Sequence, residues 1–469
     1  MTQLDAIKLS EQLPQLDWIT DPMRVARLSQ DFSWFSPVLK RALEGKTADV
    51  AVRPRTEDEI REVVSACAKA SVPITVRGTG TGNYGQCTPL HGGLVLDMSG
   101  YNGFCWVRGG VGRAQAGIRL AEFDKQALPH GYELRWLPST FRSATLGGLF
   151  GGGFGGAGSL NYGPLAAPGN VLGLRVMTLE AEPQVVELRG ADAMALHHTY
   201  GTNGIVLELE VALAPAVPWS ECLATFDDFD NALELAARFA RAPGLVKKEV
   251  CFFGAPVPNY MESLAEYLPK GCHAVIAQVA PESEEGFAAM VAQLGGHISY
   301  SRSAEEIKKS NRTLVEYTWN HTTLHALKVD KTLTYIQSGF DPSRNIEQVK
   351  TLEKLLAGEV MMHLEFLRTK EGHFNCSGLQ LIKYTSDERL NEIMQIYRDH
   401  GVQINNPHVY VVEDGKQNQM DPAVVRMKER FDPQGLLNPG KLRGWATREH
   451  SLPSTVVAAS VNPGVEELA

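Results

Sequence analysis

Three clusters of polar side chains in the second half of the chain carry groups that move protons or bind anions. The first is Tyr317-Thr-Trp-Asn-His-Thr-Thr-Leu-His-Ala-Leu-Lys328. On a helix, His321 and His325 are four apart and face the same way, with Lys328 close by. Three uses remain open there: a metal half-site, a basic surface for a carboxylate, or a plain amphipathic helix with two ordinary histidines. The second cluster is His363-Leu-Glu-Phe-Leu-Arg368. Strand alternation sets His363, Glu365 and Leu367 on one face, and Leu364, Phe366 and Arg368 on the other. The third, Asn405-Asn-Pro-His-Val-Tyr410, reads as a tight loop. A histidine of near-neutral pKa suits a general base. His408 and His363 are therefore the first candidates, with Tyr410 as a hydrogen-bond partner and Glu365 beside His363. Arg368 and Lys328 are the cations available to pair with a carboxylate.

Two glycine-rich segments carry a different chemistry. Arg77-Gly-Thr-Gly-Thr-Gly-Asn-Tyr-Gly-Gln86 follows the β-branched run Ile74-Thr75-Val76 and contains GxGxxG at Gly80, Gly82 and Gly85. A dinucleotide fingerprint must open a helix facing the pyrophosphate. Here the next residues are Cys-Thr-Pro-Leu-His-Gly-Gly, a turn, and then a strand at Leu94-Val-Leu-Asp-Met98. With no GK[S/T] following, a P-loop is excluded too. What remains is either a cluster of turns or a loop whose bare amides approach an anion. The second run is Ala144-Thr-Leu-Gly-Gly-Leu-Phe-Gly-Gly-Gly-Phe-Gly-Gly-Ala-Gly-Ser-Leu-Asn-Tyr-Gly163. Its glycines argue against an ordinary helix, since each costs about 1 kcal/mol relative to alanine. Its interleaved Leu, Phe and Tyr are unlike a linker. Backbone laid flat against a large ligand fits both loops, and a long diphosphate-containing cofactor suits the pair.

The elements that must position these residues fall into three regions. From about Asp49 to Ala216 the chain is glycine-rich with short strands. From about Trp219 to Tyr410 helical and strand patterns alternate. From about Asp421 to Leu442 a helix runs into a Pro/Gly motif. The first region opens with a helix whose capping box is Thr56 and Glu59 and whose apolar face is Ile60, Val63, Val64 and Cys67. Two further helices are expected at Leu233–Arg241 and at Arg389–His400, the latter stopped by Gly401. The 469 residues, 43% hydrophobic and 21% charged, suit two or three globular domains. A net charge of -9 without basic runs makes nucleic acid a poor partner. Seven scattered cysteines with no CxxC argue for reduced thiols, and the lack of a signal pattern or long apolar stretch suggests a cytoplasmic protein.

RGTGTGNYG after a strand, ATLGG…GGFGGAGSLNYG, GNVLGLRVMTLE, YGTNGIVLELEVAL and FDPQGLLNPGKL occur in that order. As an ordered set they resemble the FAD-binding oxidases and dehydrogenases related to vanillyl-alcohol oxidase, nearest the glycolate-oxidase and D-lactate-dehydrogenase-like branch, over residues 49 to 442. The resemblance implies an α+β fold: a two-subdomain PCMH-type FAD-binding domain plus an α+β cap, or substrate, domain with an antiparallel sheet. Its expected divisions are an N-terminal helical segment (1–48), the FAD domain (49–217), the cap (218–420), a return to the FAD domain (421–443) and a tail (444–469).

The same resemblance implies that Arg77, Gly78, Thr79, Gly80, Thr81, Gly82 and Asn83 wrap the FAD pyrophosphate. Pro138, Ser139, Thr145, Gly147, Gly148, Gly152, Gly155 and Ser159 would follow the ribityl chain and isoalloxazine. Gly204, Ile205 and Val206 would meet the adenine side, and Asn438 and Lys441 the flavin. Covalently flavinylated relatives carry a His in the first loop or a Cys in the second block. Here Cys87 and His91 lie just beyond the first loop, so non-covalent FAD is expected. The HxGDGNxH metal motif is missing, and Asp399-His400-Gly401 is the nearest match to its later Glu-His-Gly, so no metal is expected. The leading reading is hydride abstraction from a hydroxylated carbon, that of a 2-hydroxy acid, to flavin N5. Two alternatives stand beside it: oxidation of an aromatic or cyclic alcohol or amine, and a non-catalytic flavoprotein subunit of a larger complex. The implied partners are a small-molecule substrate, an electron acceptor left open among oxygen, quinone and an electron carrier, and a second copy in a homodimer.

Overall fold

The computed structural model describes residues 4–415 and 420–447. Three parallel strands, Val50–Val52, Leu94–Asp97 and Ile74–Arg77, form most of a four-stranded sheet, with Trp18–Ile19 antiparallel at its edge. Val50, Val52, Ile74, Leu94 and Leu96 are fully buried, as strands of a helix-covered parallel sheet must be. Helix Glu57–Ala70 supplies the cover through Ile60, Val63, Val64 and Cys67. Half of its expected capping box forms. Glu59 N donates to Thr56 Oγ1 at 3.2 Å, while the Glu59 carboxylate takes the Arg55 N–H at 2.6 Å instead of that of Thr56.

A second sheet is antiparallel and centred on the long strand Ile205–Pro215, between Val111–Gln115 and Val171–Met177. Phe104–Arg108 and Val185–Arg189 close its edges, and Tyr132–Leu134 pairs with the far end of the central strand. The second glycine block lies against this sheet, and here the expectation of no helix fails. Leu146–Gly152 is helical despite its four glycines, and Ser159–Tyr162 adds a further turn. Thr145 caps the first of these, Gly148 N donating to its Oγ1 at 3.2 Å, and Leu146, Leu149 and Phe150 are buried in the core. Tertiary burial of three large side chains outweighs the glycine cost.

The third region is an eight-stranded antiparallel sheet. Its order is His297–Arg302, Ser220–Phe226, His273–Val279, Lys247–Phe253, His363–Arg368, Phe374–Gly378, Gln337–Gly339 and Gln403–Asn405. Helices Phe229–Arg241, Asn345–Leu355 and Asp387–Asp399 bury one face of it. The first starts four residues earlier than expected because Asp228 caps Asn231 N at 2.8 Å. The last starts at Asp387, capped by Ser386, with His400 as its C-cap. Leu333–Tyr335, Leu381–Lys383 and Val360–Met361 make a small fourth sheet. Helix Pro422–Phe431 then carries the chain back to the first sheet. Ile74 N donates to Leu436 O at 2.9 Å and Asn438 N to Ile74 O at 2.7 Å. Most of the expected tail, residues 448–469, lies outside the described residues. All seven cysteines are unpaired, and only Cys105 is exposed. No helix among the described residues is long and apolar enough to cross a membrane.

Candidate active site

A long cavity runs between the two glycine segments and ends against the cap. The first loop lines it from Arg77 to Tyr84, and the second block from Thr145 to Gly155. Pro138, Ser139, Tyr200, Gly204 and Val206 complete the wall, and Trp319, Asn320, Gln337 and Leu379 close the cap side. Eleven glycines and a single cation, Arg77, line it, and among the described residues no carboxylate does. Bare glycine backbone lets an anion approach closely there, and no lining carboxylate among the described residues opposes it.

The glycines are required by space as well as by φ. Gly80 sits at φ +71°, and an added Cβ would strike the Arg77 guanidinium at 2.0 Å. At Gly78 the same atom would meet Thr145 Oγ1 at 2.2 Å, which is how closely the two segments approach. At Gly151 a Cβ meets nothing within 4 Å, so a side chain there would stand in the cavity. Arg77 is braced beneath the loop by Gln30 O at 2.6 Å and Cys87 Sγ at 3.0 Å, and its Nε is buried without a partner.

Four residues expected to touch the cofactor do not line this cavity. Ile205 is fully buried in the core of the first sheet, and Ser159 turns inward to accept the Gly156 N–H at 3.1 Å. Asn438 and Lys441 act from behind. Asn438 Nδ2 donates to Gln86 O and Tyr200 O, both at 2.7 Å, and Lys441 Nζ to Gly85 O at 2.5 Å. Both therefore hold the end of the first loop in place. Burial brings the Lys441 pKa down to about 8 against the opposing pull of Asp31 and Cys87.

At the cap end the polar groups are neutral. Tyr84 Oη donates to Gln337 Oε1 at 2.6 Å. Tyr335 is fully buried, with its hydroxyl beside the Asn83 and Asn320 side chains and its pKa pushed well above the usual value by burial. Tyr335 Oη and Asn320 Nδ2 are both buried without a well-formed hydrogen bond. Trp319 adopts φ 50°, a left-handed conformation rare for a bulky residue. Two carboxylates hold it: its N–H donates to Glu365 Oε1 at 2.5 Å and its indole to Glu249 Oε1 at 3.1 Å.

Behind Trp319 lies a fully buried polar cluster. Glu365 Oε1 also accepts from Cys251 Sγ at 3.1 Å and faces His363 Nε2 at 2.9 Å. His363 stacks on Phe253 with ring centres 4.9 Å apart. Cys251, His363 and Glu365 offer ligand atoms all within 4.8 Å of one another, a donor set that divalent metals accept. Burial and the nearby Glu365 push the Glu249 carboxyl well above its ordinary pKa.

None of the seven side chains singled out as catalytic from the sequence lines the cavity. His363 and Glu365 come nearest, acting on it through Trp319. His408 accepts or donates at Ser36 Oγ, 2.8 Å away, and packs edge-on to Tyr335. Burial holds its pKa down to about 4, which makes it a weaker base than a free histidine. Tyr410 lies under the Lys441 ammonium, 5.2 Å from its ring centre. His321 and His325 do share a helix face, but His325 stacks on Tyr317 and meets Glu316 O at 3.1 Å. Lys328 is exposed, and Arg368 is exposed on a different cleft. Of the two residues weighed as covalent flavin anchors, Cys87 lines the cavity with its pKa raised by burial to about 11, and His91 is exposed.

Tyr84, Trp319, Asn320, Gln337 and Tyr335 are not marked as site residues by sequence pattern. Trp319 and Asn320 stand inside the Tyr317–Lys328 cluster, where the histidines carry the stronger chemical signal. Nothing in the sequence marks Tyr335.

The FAD binding domain family matches residues 48–188. Glycolate oxidase subunit GlcD of Bacillus subtilis (strain 168) is 24% identical over 426 residues, 84% of this chain and 88% of that one. D-lactate dehydrogenase of Anaerostipes hadrus is 23% identical over 452 residues, 86% and 91% respectively. The match to GlcD of Escherichia coli (strain K12) is 28% identical but spans only 39% of this chain and 38% of that relative. Among solved structures, an alkyldihydroxyacetonephosphate synthase superposes with a TM-score of 0.69 at 17% identity, covering 94% of this chain and 85% of its own. That likeness is one of fold. The cavity fits FAD on its own geometry: two amide-rich loops, one cation, no lining carboxylate among the described residues, and open space above Gly151.

Proposed function

We propose that this chain, which matches an FAD binding domain over residues 48–188 and is similar along most of its length to a glycolate oxidase subunit and a D-lactate dehydrogenase, oxidises a hydroxylated carbon where the glycine-lined cavity meets the cap. FAD bound there would supply the hydride acceptor, and the hydroxyl proton would pass to solvent. The residues from Arg77 to Asn83 would bind the diphosphate, and Thr145, Gly147, Gly148 and Gly152 would follow the rest of the cofactor without a covalent link. Asn320 Nδ2 orients the substrate oxygen, with Tyr335 Oη behind it. The observation that carries this reading is that Asn320, which lines the cap end of the cavity, has its Nδ2 buried without a well-formed hydrogen bond, as is the Oη of Tyr335 beside it. An unpaired buried donor is costly, and a substrate oxygen removes that cost. Trp319, held in its left-handed turn by Glu249 and Glu365, shapes the wall and excludes water.

A 2-hydroxy acid is supported by the names of the relatives, glycolate oxidase and D-lactate dehydrogenase. A specific observation favours a second reading, a neutral aromatic or cyclic alcohol. Among the described residues no Lys, Arg or His lines the cap end of the cavity beside Trp319, Asn320, Gln337, Leu379 and Tyr84, and aromatic rings do. Anaerobic titration of the flavin-loaded protein with glycolate, D-lactate and longer 2-hydroxy acids, alongside benzylic and cyclic alcohols, separates the two. Bleaching of the flavin band by an acid supports the first and by a neutral alcohol the second. A flavin that dithionite reduces but no alcohol does would contradict the proposed oxidation and favour a non-catalytic subunit.

A further inference from the structure

A second cleft lies where the FAD lobe meets the cap, and it shares no residue with the long cavity. Its floor joins the two lobes directly. Gly158 N donates to Lys248 O at 2.8 Å, and Asn161 Nδ2 to Lys247 O at 2.7 Å. Four cations line it, Lys247, Lys248, Arg241 and Arg368, against one carboxylate, Glu133. That carboxylate is already committed. Lys248 Nζ sits 2.9 Å from its Oε1, and Trp219 Nε1 donates to the same oxygen at 2.9 Å.

The other three cations have no carboxylate within ion-pair distance among the described residues. Arg241 reaches Asn345 Oδ1 at 3.2 Å and lies over the Phe374 ring. Arg368 donates to Gly372 O at 3.1 Å. Lys247 donates to Ala242 O, lies over the Phe239 ring, and is only 6% exposed. Its pKa is brought down to about 8, by burial first and then by the charge of Arg368. A buried ammonium beside a guanidinium, with no counter-charge, is unfavourable in an empty cleft. It becomes favourable when an anion lies between them. A protein of net charge -9 has acidic side chains to spare, yet none of the described ones neutralises these three.

We propose that this cleft binds an oxyanion, the phosphate or carboxylate group of a small ligand, with Lys247 and Arg368 as its charged donors. The planar guanidinium gives a two-pronged contact to either group, and the ammonium supplies a buried point charge. Because the cleft wall is bonded to Gly158 and Asn161, a bound anion braces the cap against the block that continues into the long cavity. The site stands apart from the substrate chamber and does not depend on the reaction proposed there.

The test is calorimetric titration of the full chain, loaded with FAD so that the first glycine loop is filled, at low ionic strength. Inorganic phosphate and citrate are the probes, run separately against the parent protein, Lys247→Met and Arg368→Gln. One-site binding of either probe, weakened at least about ten-fold in each variant, is expected. Binding of phosphate alone assigns a phosphorylated ligand, and binding of citrate alone a carboxylate. Arg368 is exposed, so its variant folds even if Lys247→Met does not. Failure of both probes to bind, or binding unchanged in Arg368→Gln, overturns the proposal.

Discussion

The two ends of the long cavity are built by opposite means. On the FAD side the wall is mostly backbone: eleven glycines line it, with Arg77 as the only lining charge among the described residues. On the cap side it is side chain: Tyr84, Trp319, Asn320 and Gln337 in front, with Glu249, Cys251, His363 and Glu365 buried behind. A backbone wall binds what every bearer of the cofactor shares, and it tolerates no Cβ. A side-chain wall sets which substrate enters, and its geometry depends on polar partners drawn from distant strands. The first end is therefore sensitive to added atoms and the second to lost hydrogen bonds.

Substitutions sharpen this contrast. Gly80→Val forces a β-branched residue to φ +71° and into Arg77, so FAD affinity is expected to fall at least about a hundred-fold while the cap stays folded. Fluorescence titration with FAD checks it, and near-parental affinity would break the backbone half of the comparison.

Acid exposes the cost of burial away from the glycine wall. His321 and His408 are each held down to about 4, so the unfolded chain takes up a proton near 6.5 before the folded chain does. Their contribution is complete above about pH 6.5 and is lost as pH falls towards 4, by roughly 3 kcal/mol for each group at most. Urea melts at pH 7 and 4.5 are expected to show this loss, and His408→Gln to reduce it; equal acid sensitivity in that variant would contradict it.

Asn320→Ala and Tyr335→Phe are expected to lower kcat/KM about thirty-fold, ~2 kcal/mol, and to leave the flavin spectrum and FAD affinity unchanged. A change in FAD affinity instead would move these residues to the cofactor end. The smallest effect is expected at Lys441→Met, which frees Gly85 O and relaxes the end of the first loop. FAD binding weakens about ten-fold, with the substrate KM unaltered.

The same contrast explains what the sequence revealed. A wall of backbone needs glycines in runs, and such runs are visible as RGTGTGNYG and the block from Gly147 to Gly158. Even there the helix at Leu146–Gly152 was hidden, because burial of Leu146, Leu149 and Phe150 decided it rather than propensity. The strand alternation at His363–Arg368 read correctly, with Leu364 and Phe366 in the core and His363 and Glu365 turned to the polar side. Their partners were out of reach. Cys251 meets Glu365 through a strand pairing more than a hundred residues apart, and no local pattern records that register. Trp319 at φ 50° was equally silent, since a non-glycine residue in that region carries no signature. Histidines drew the attention in every cluster, and burial had taken most of them out of play.

The most direct test of the central claim is the absorption spectrum of the full chain, reconstituted with FAD, desalted and acid-precipitated, with Gly80→Val alongside. A flavin band that stays with the desalted parent, enters the acid supernatant, and is missing from the variant is the predicted result. A parent that retains no flavin after reconstitution would contradict the assignment of the glycine-lined cavity to FAD.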